Sequence, residues 1–174
     1  MCIIQKFCQA IGERDSYTIE QEVTIAYLVG IVHDIGKVNV PDHILNKPGR
    51  LTAEEFAVIK QHPQIGAELI SEVAGLETVA EIVRHHHERY DGKGYGQGLS
   101  GSKIPFFSRM LAVCDTFDAM TSARCYRRKP LSVRKALTEI AKCAGTQFDP
   151  AISKRFIEFI GSQQEQGAVA RAGV

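Results

Sequence analysis

Between Glu20 and Gly36, apolar side chains fall on almost every face of a helical projection: Val23, Ile25, Ala26, Tyr27, Leu28, Val29, Ile31, Val32 and Ile35. A helix that is apolar all round belongs in the middle of a domain, so this segment is expected to cross the core. Elsewhere the spacing is that of one-sided helices. Ile65, Leu69, Ile70 and Val73 follow Pro63, which suits a first helical turn. A third helix is expected from Leu76 to His87. Behind Pro105, the residues Phe106, Met110, Leu111, Cys114 and Phe117 mark a buried stripe, and Ile152, Phe156 and Ile160 face inward after Asp149-Pro150. Thr52 to Glu55 has capping-box spacing, and Ser132 is placed to cap a helix reaching about Ala144. Residues 1–11 read as a short helix. The breaks are polar or rich in glycine and proline: Gly12 to Thr18, Asn39 to Arg50, and Glu88 to Ile104. From Ser162 onward small and polar residues are expected to fray. Strand signals are weak throughout, so the expected class is all-α, a helical bundle with one glycine-rich loop.

Composition narrows the partners. At 174 residues the chain has room for one domain with a real core. Its net charge of +1 gives no overall field that would draw DNA or a membrane surface. Basic residues do gather at Arg124, Arg127, Arg128, Lys129, Arg134 and Lys135, either as a solvated face or as a local anion site. Five cysteines form no Cys-x-x-Cys pair and sit among apolar neighbours, as reduced thiols do. The longest uncharged apolar run, Val23 to Val32, is too short to cross a bilayer, and the N-terminus has no signal-peptide pattern. The expectation is a cytoplasmic protein, or a soluble domain of a larger signalling protein, with no DNA bound and no insertion into a membrane.

Chemistry concentrates at helix ends. His33-Asp34 closes the most apolar helix, where a carboxylate without a partner would cost several kcal/mol. Lys37, one turn on, is the plain partner. His62 stands before Pro63, as a capping group or as a ligand. His85-His86-His87 puts three imidazoles at a helix end, where they have little packing value, and at least two of them are expected to bind metal. Asp115 lies at the edge of the stripe carrying Leu111 and Cys114, with Asp118 one turn beyond. With two of the three adjacent histidines, and with Asp34 and Asp115, these segments offer four imidazoles and two carboxylates. One carboxylate can bridge two cations about 3.5–4 Å apart, which hold a hydroxide between them and grip a phosphate oxygen. A nitrogen and oxygen set without thiolate favours iron or manganese and admits zinc.

These residues, read in order, resemble a known family. His33-Asp34-Ile35-Gly36-Lys37 with Val40-Pro41-Asp42, then Ile59 to Pro63, His86 to Tyr95, Ala112 to Thr121, and Arg124 to Arg127 resemble the signatures of HD-GYP domains over about residues 24–160. The resemblance implies a bacterial signalling phosphodiesterase that opens cyclic di-GMP to linear pGpG or through to GMP. It implies two metals held by His33, Asp34, His62, His86, His87 and Asp115, with Lys37 near the phosphate and the attacking hydroxide. Tyr95, Arg124 and Arg127 would contact the dinucleotide. It divides the chain into a short N-terminal region (1–18), an HD-GYP-like metal-dependent hydrolase domain (19–161) and a flexible tail (162–174).

Three departures accompany it. The tripeptide that names the family ends in proline, and here it reads Gly94-Tyr95-Gly96. Asp15-Ser16-Tyr17-Thr18 runs almost straight into the next helix, and Gln21 stands where a further histidine ligand would follow, so a third metal site is expected to be absent or rebuilt. Cys125 replaces a proline. Two other readings stay open: a non-catalytic module binding a cyclic dinucleotide or a partner such as a diguanylate cyclase, and a hydrolase acting on another phosphoester such as cyclic GMP-AMP. The sequence leaves the oligomeric state open.

Overall fold

The computed structural model describes residues 2–11, 16–123 and 129–172, of which 16–19 and 165–172 are described by backbone alone. Nine α-helices follow in order among them: α1 (Ile3–Ile11), α2 (Ser16–Val32), α3 (Asp42–Leu45), α4 (Ala53–Ile59), α5 (His62–Ser71), α6 (Glu77–Arg84), α7 (Phe106–Thr121), α8 (Val133–Lys142) and α9 (Pro150–Ala172). Short 3-10 turns at Ile35–Asn39 and Gly101–Lys103 complete the described elements. The all-α expectation holds.

Local signals place the helix starts. Thr52 Oγ1 accepts from Glu55 N–H while the Glu55 carboxylate accepts from Thr52 N–H, so the capping box closes in both directions. Ser132 accepts from Lys135 N–H and opens α8. Asp149, itself buried, accepts from the Ala151 and Ile152 amides at 2.8 and 3.2 Å and pairs with Arg109. One carboxylate therefore caps α9 and ties it to α7.

One core runs through the described residues. Ile4, Phe7 and Cys8 of α1 join Ala26 and Val29 of α2, Val79 and Val83 of α6, Met110 and Val113 of α7, Ile140 of α8 and Phe156 of α9. Phe156 stands edge-on to both Phe7 and Phe117, with centroids 5.0 and 5.2 Å away. Residues 3–11 are thus built into this core, and α2 opens at Ser16, so a boundary near residue 19 would cut a helix.

Several expected positions shift. α2 does not run through the centre. Ala26 and Val29 are buried, yet Tyr27 and Ile31 are 43% and 58% exposed, because α1, α6 and α7 cover only one side of it. The third expected helix stops at Arg84, three residues short, and His85 to His87 form a turn. Part of the Asn39–Arg50 loop is helical as α3. α9 continues to Ala172 instead of ending near Ser162. No described helix is long and apolar enough to cross a membrane.

Where the chain turns out of α2, Gly36 passes so close to α5 that a Cβ there would collide with the His62 carbonyl oxygen and stand 2.6 Å from the Gly66 nitrogen. This crossing brings His33 and Asp34 against the first turn of α5.

Candidate metal centre

Four elements converge on one spot. The end of α2 supplies His33 and Asp34, the first turn of α5 supplies His62, the turn after α6 supplies His86 and His87, and α7 supplies Asp115. His62, His86 and His87 can each present one ring nitrogen within 4.8 Å of the others. Asp34 Oδ1 lies 3.4 Å from His62 Nε2, and Asp34 Oδ2 lies 3.6 Å from His33 Nε2 and 2.7 Å from Lys37 Nζ. Asp115 Oδ1 is 4.0 Å from His33 Nε2. Both readings of Asp34 are met at once, since it pairs with Lys37 and also faces the imidazoles.

The backbone fixes how the rings present their nitrogens. His33, His62 and His86 each direct Nδ1 at the carbonyl three residues earlier: Gly30 at 3.2 Å, Ile59 at 2.8 Å and Val83 at 2.6 Å. A carbonyl only accepts, so Nδ1 carries the proton and Nε2 is left with a lone pair. This tautomer follows from the hydrogen bonds. His62 Nε2 and His86 Nε2 then face each other at 3.3 Å with two lone pairs. That approach is repulsive unless a proton or a cation lies between them. Burial disfavours the proton: it holds His62 below its ordinary pKa and, in the more deeply enclosed His86, pushes the value down to about 3. A cation fits. Two nitrogens each about 2.0–2.1 Å from one tetrahedral ion stand about 3.3–3.4 Å apart.

Burial, reinforced by His86 and His62, likewise holds His87 well below the ordinary histidine range. Burial alone would raise the Asp34 carboxyl, but the Lys37 hydrogen bond, with His33 and His62 nearby, outweighs it and leaves the pKa lowered. At neutral pH His62, His86 and His87 are therefore neutral imidazoles and Asp34 is an ionised carboxylate, the protonation states a cation needs.

These shifts predict how the metal-free protein responds to acid. The unfolded chain protonates its histidines near their ordinary value of 6.5, while folded His86 waits until about 3. The unfolded state binds more protons across that window, so stability falls as pH drops through it. Asp34, lowered in the fold, works in the same direction at more acidic pH. The melting temperature of the metal-stripped protein should be level between about pH 7.5 and 8 and fall steadily below about 6.5. A level melting temperature down to about pH 5 would contradict the burial of these imidazoles.

A cleft runs beside the cluster, lined by His86, His87, Arg89, Lys93, Asp115 and Gln147 among others, and the Tyr95 ring forms part of its wall. Tyr95 stacks on His87 with centroids 4.6 Å apart and 27° between planes. The glycine-rich loop that carries it is tied to the segment between α8 and α9, since the Tyr90 and Asp91 amides donate to the Gln147 and Thr146 carbonyls. Arg124 and Arg127 lie outside the described residues.

Of the three adjacent histidines, His85 turns away. It is buried with Nε2 3.1 Å from Glu81 Oε1. Asp118 is exposed and accepts from Ser122 Oγ at 3.1 Å. Sequence reasoning gave no role to Glu88, whose side chain is wholly buried against the loop. Its place directly after three histidines was the available signal.

Comparison with known proteins adds the following. The family model described as "HD domain" matches residues 2–152. A cyclic di-GMP phosphodiesterase of Pseudomonas aeruginosa is 44% identical over 137 residues, 78% of this chain and 33% of that protein. The 3'3'-cGAMP-specific phosphodiesterase 1 of Vibrio cholerae is 40% identical over 124 residues, 71% of this chain and 28% of the relative. The chain thus spans about a third of the length of the curated relatives it matches. Among solved structures, an HDG"Y"P protein from Bdellovibrio bacteriovorus superposes with a TM-score of 0.67 at 16% identity, over 91% of this chain and 50% of that one. That likeness concerns the fold.

Proposed function

Because the chain belongs to the HD domain family, we propose that it is a metal-dependent phosphodiesterase that opens cyclic di-GMP, to linear pGpG or through to GMP. The observation that carries this reading is the facing pair of unprotonated nitrogens on His62 and His86, held with Asp34 at one spot. Two divalent cations, iron or manganese with zinc as the other option, would be held by His33, Asp34, His62, His86, His87 and Asp115. Such cations supply Lewis acidity towards a phosphoryl oxygen and towards water at neutral pH.

The protein's own groups do the rest. Asp34 stands between His33 and His62, where one carboxylate can serve both halves of the centre. Lys37, anchored on Asp34 Oδ2, brings a positive charge to the place where a phosphodiester gains negative charge during attack. The Nδ1 bonds of His33, His62 and His86 keep their rings from turning, so orientation is set before substrate arrives. Tyr95 offers a ring and a hydroxyl at the cleft wall. Arg124 and Arg127 would grip phosphate or stack on guanine. The chain would work in the bacterial cytoplasm, as a domain of a longer signalling protein.

The test is incubation with cyclic di-GMP under reducing conditions with Mn(II) or Fe(II), followed by separation of the nucleotides. Release of pGpG or GMP, abolished by a chelator and restored by metal, is the expected result. Retention of cyclic di-GMP without cleavage would mark a binding module for the dinucleotide or for a partner such as a diguanylate cyclase. Cyclic GMP-AMP belongs in the panel because a relative specific for it matches most of this chain. Faster turnover of that nucleotide would reassign the substrate and leave the metal chemistry standing.

A further inference from the structure

One buried acid beside the cluster has no part in holding metal. Glu88 follows the three histidines, and its side chain has no exposure to solvent. Its Oε1 accepts from the Gln97 backbone N–H and lies 3.6 Å from His85 Nδ1. Its Oε2 has no hydrogen-bond partner, and neither has His85 Nδ1. Leaving buried polar atoms unsatisfied is costly, and an apolar side chain of similar size would avoid that cost. Packing therefore gives no reason for a carboxyl group here.

What the group does is hold a loop. Gln97 lies two residues beyond Tyr95. On the other side of Tyr95, Gly94 packs so tightly that a Cβ would stand 2.6 Å from each of Arg89 N, Glu88 Cα and His87 O. Tyr95 N–H itself donates to His87 O at 3.3 Å. The tyrosine is thus pinned before, at and after its own position, with its ring against His87 and edge-on to Phe56. Gly96 makes the last anchor geometrically available. It does not use a positive φ, but a Cβ there would stand 2.7 Å from Glu88 Cδ and collide with Oε1. The Glu88 carboxyl occupies the space that a side chain at position 96 would need.

The structure assigns Glu88 as a positioning residue that sets the Tyr95 ring against His87 through the Gln97 backbone, admitted by the missing Cβ of Gly96. This deepens the proposed function, and only its kinetic part rests on that reading.

The experiment compares Glu88→Ala, Glu88→Gln, Gly96→Ala and the double variant E88A/G96A. The first readout is the Tyr95 ring resonance in metal-free, 13C-tyrosine-labelled protein, assigned with Tyr95→Phe. E88A and G96A should move it. E88Q, whose amide oxygen still accepts from Gln97 N–H, should return it. The double variant should match E88A, because the added methyl no longer meets Glu88. The second readout is turnover of cyclic di-GMP, where E88A and G96A should raise KM about tenfold, change kcat little and keep full metal content. A resonance unmoved in both single variants, or a G96A effect that adds to E88A, overturns the clamp. A moved resonance with unchanged KM in an active enzyme overturns its role in placing substrate. If E88A fails to fold, G96A displaces the carboxyl without emptying its site and decides the matter alone. If no variant or parent turns over the dinucleotide, the resonance still decides the clamp, and the failure belongs to the proposed substrate.

Discussion

Asp34→Ala should leave the helices in place, empty the centre of metal and lower phosphodiesterase turnover by roughly 10³-fold or more. Asp34 is the carboxylate on which the site's short contacts converge. Its two oxygens lie 3.4 Å from His62 Nε2, 3.6 Å from His33 Nε2 and 2.7 Å from Lys37 Nζ. Removing it takes a negative charge from between the imidazoles and frees the Lys37 ammonium to swing away. Any cation in the site would then keep only the Asp115 carboxylate as compensating charge in a partly enclosed pocket, where such charge counts for more than in water. Asp34→Asn separates the two contributions. The amide oxygen can still accept from Lys37, so the lysine stays near, while the charge that favours a cation is gone. The expected order of metal content is native, then Asn, then Ala, with turnover following metal. Metal analysis of protein handled without oxygen, circular dichroism and a nucleotide assay on the same samples check it. Full metal content and activity in Asp34→Ala would remove the ground for the whole site assignment.

Much of this arrangement was readable beforehand because the ligand-bearing segments have sequence-local causes. The capping box at Thr52, the proline at 63 and the stripe of α7 each fix where a helix starts or which side it buries. His33, His62, His86 and Asp115 then fall at ends or edges that turn inward. What could not be read is where neighbours stop. The apolar face of α2 that carries Tyr27 and Ile31 looks like core in a helical projection. It is exposed because no described element packs over it, a fact of tertiary arrangement and not of periodicity. The choice among His85, His86 and His87 is another such case. α6 ends at Arg84, and the turn that follows sends His85 towards Glu81 and the other two into the cluster. Three identical side chains in a row carry no signal that would separate them. Glu88 escaped notice for a similar reason, since its partner, the Gln97 backbone, is a group that any residue at that position would offer.

Gly36→Ala should destabilise the protein by about 3 kcal/mol or more, the upper range for forcing atoms into a packed interior. The sequence shows only a glycine after a helix, a common stop signal. The structure shows a crossing in which the place of the missing Cβ is already taken. A methyl there would overlap the His62 carbonyl oxygen, with the Gly66 nitrogen 2.6 Å away, and both are backbone atoms in a helix. No rotamer change relieves such a contact, so the turn after α2 and the first turn of α5 must part. They carry Asp34 and His62, whose 3.4 Å approach is part of the metal site. Loss of stability and loss of metal affinity should therefore appear together, unlike Asp34→Ala, where metal is lost and the fold remains. Gly49→Ala is the control. Nothing lies within 4 Å of its Cβ position and its φ is not positive, so the change should be neutral or stabilising by up to about 1 kcal/mol. Urea unfolding followed by circular dichroism on metal-free samples measures both substitutions. An unchanged midpoint for Gly36→Ala would mean that the turn after α2 does not approach α5 at this distance, and the convergence of Asp34 on His62 would lose its structural cause.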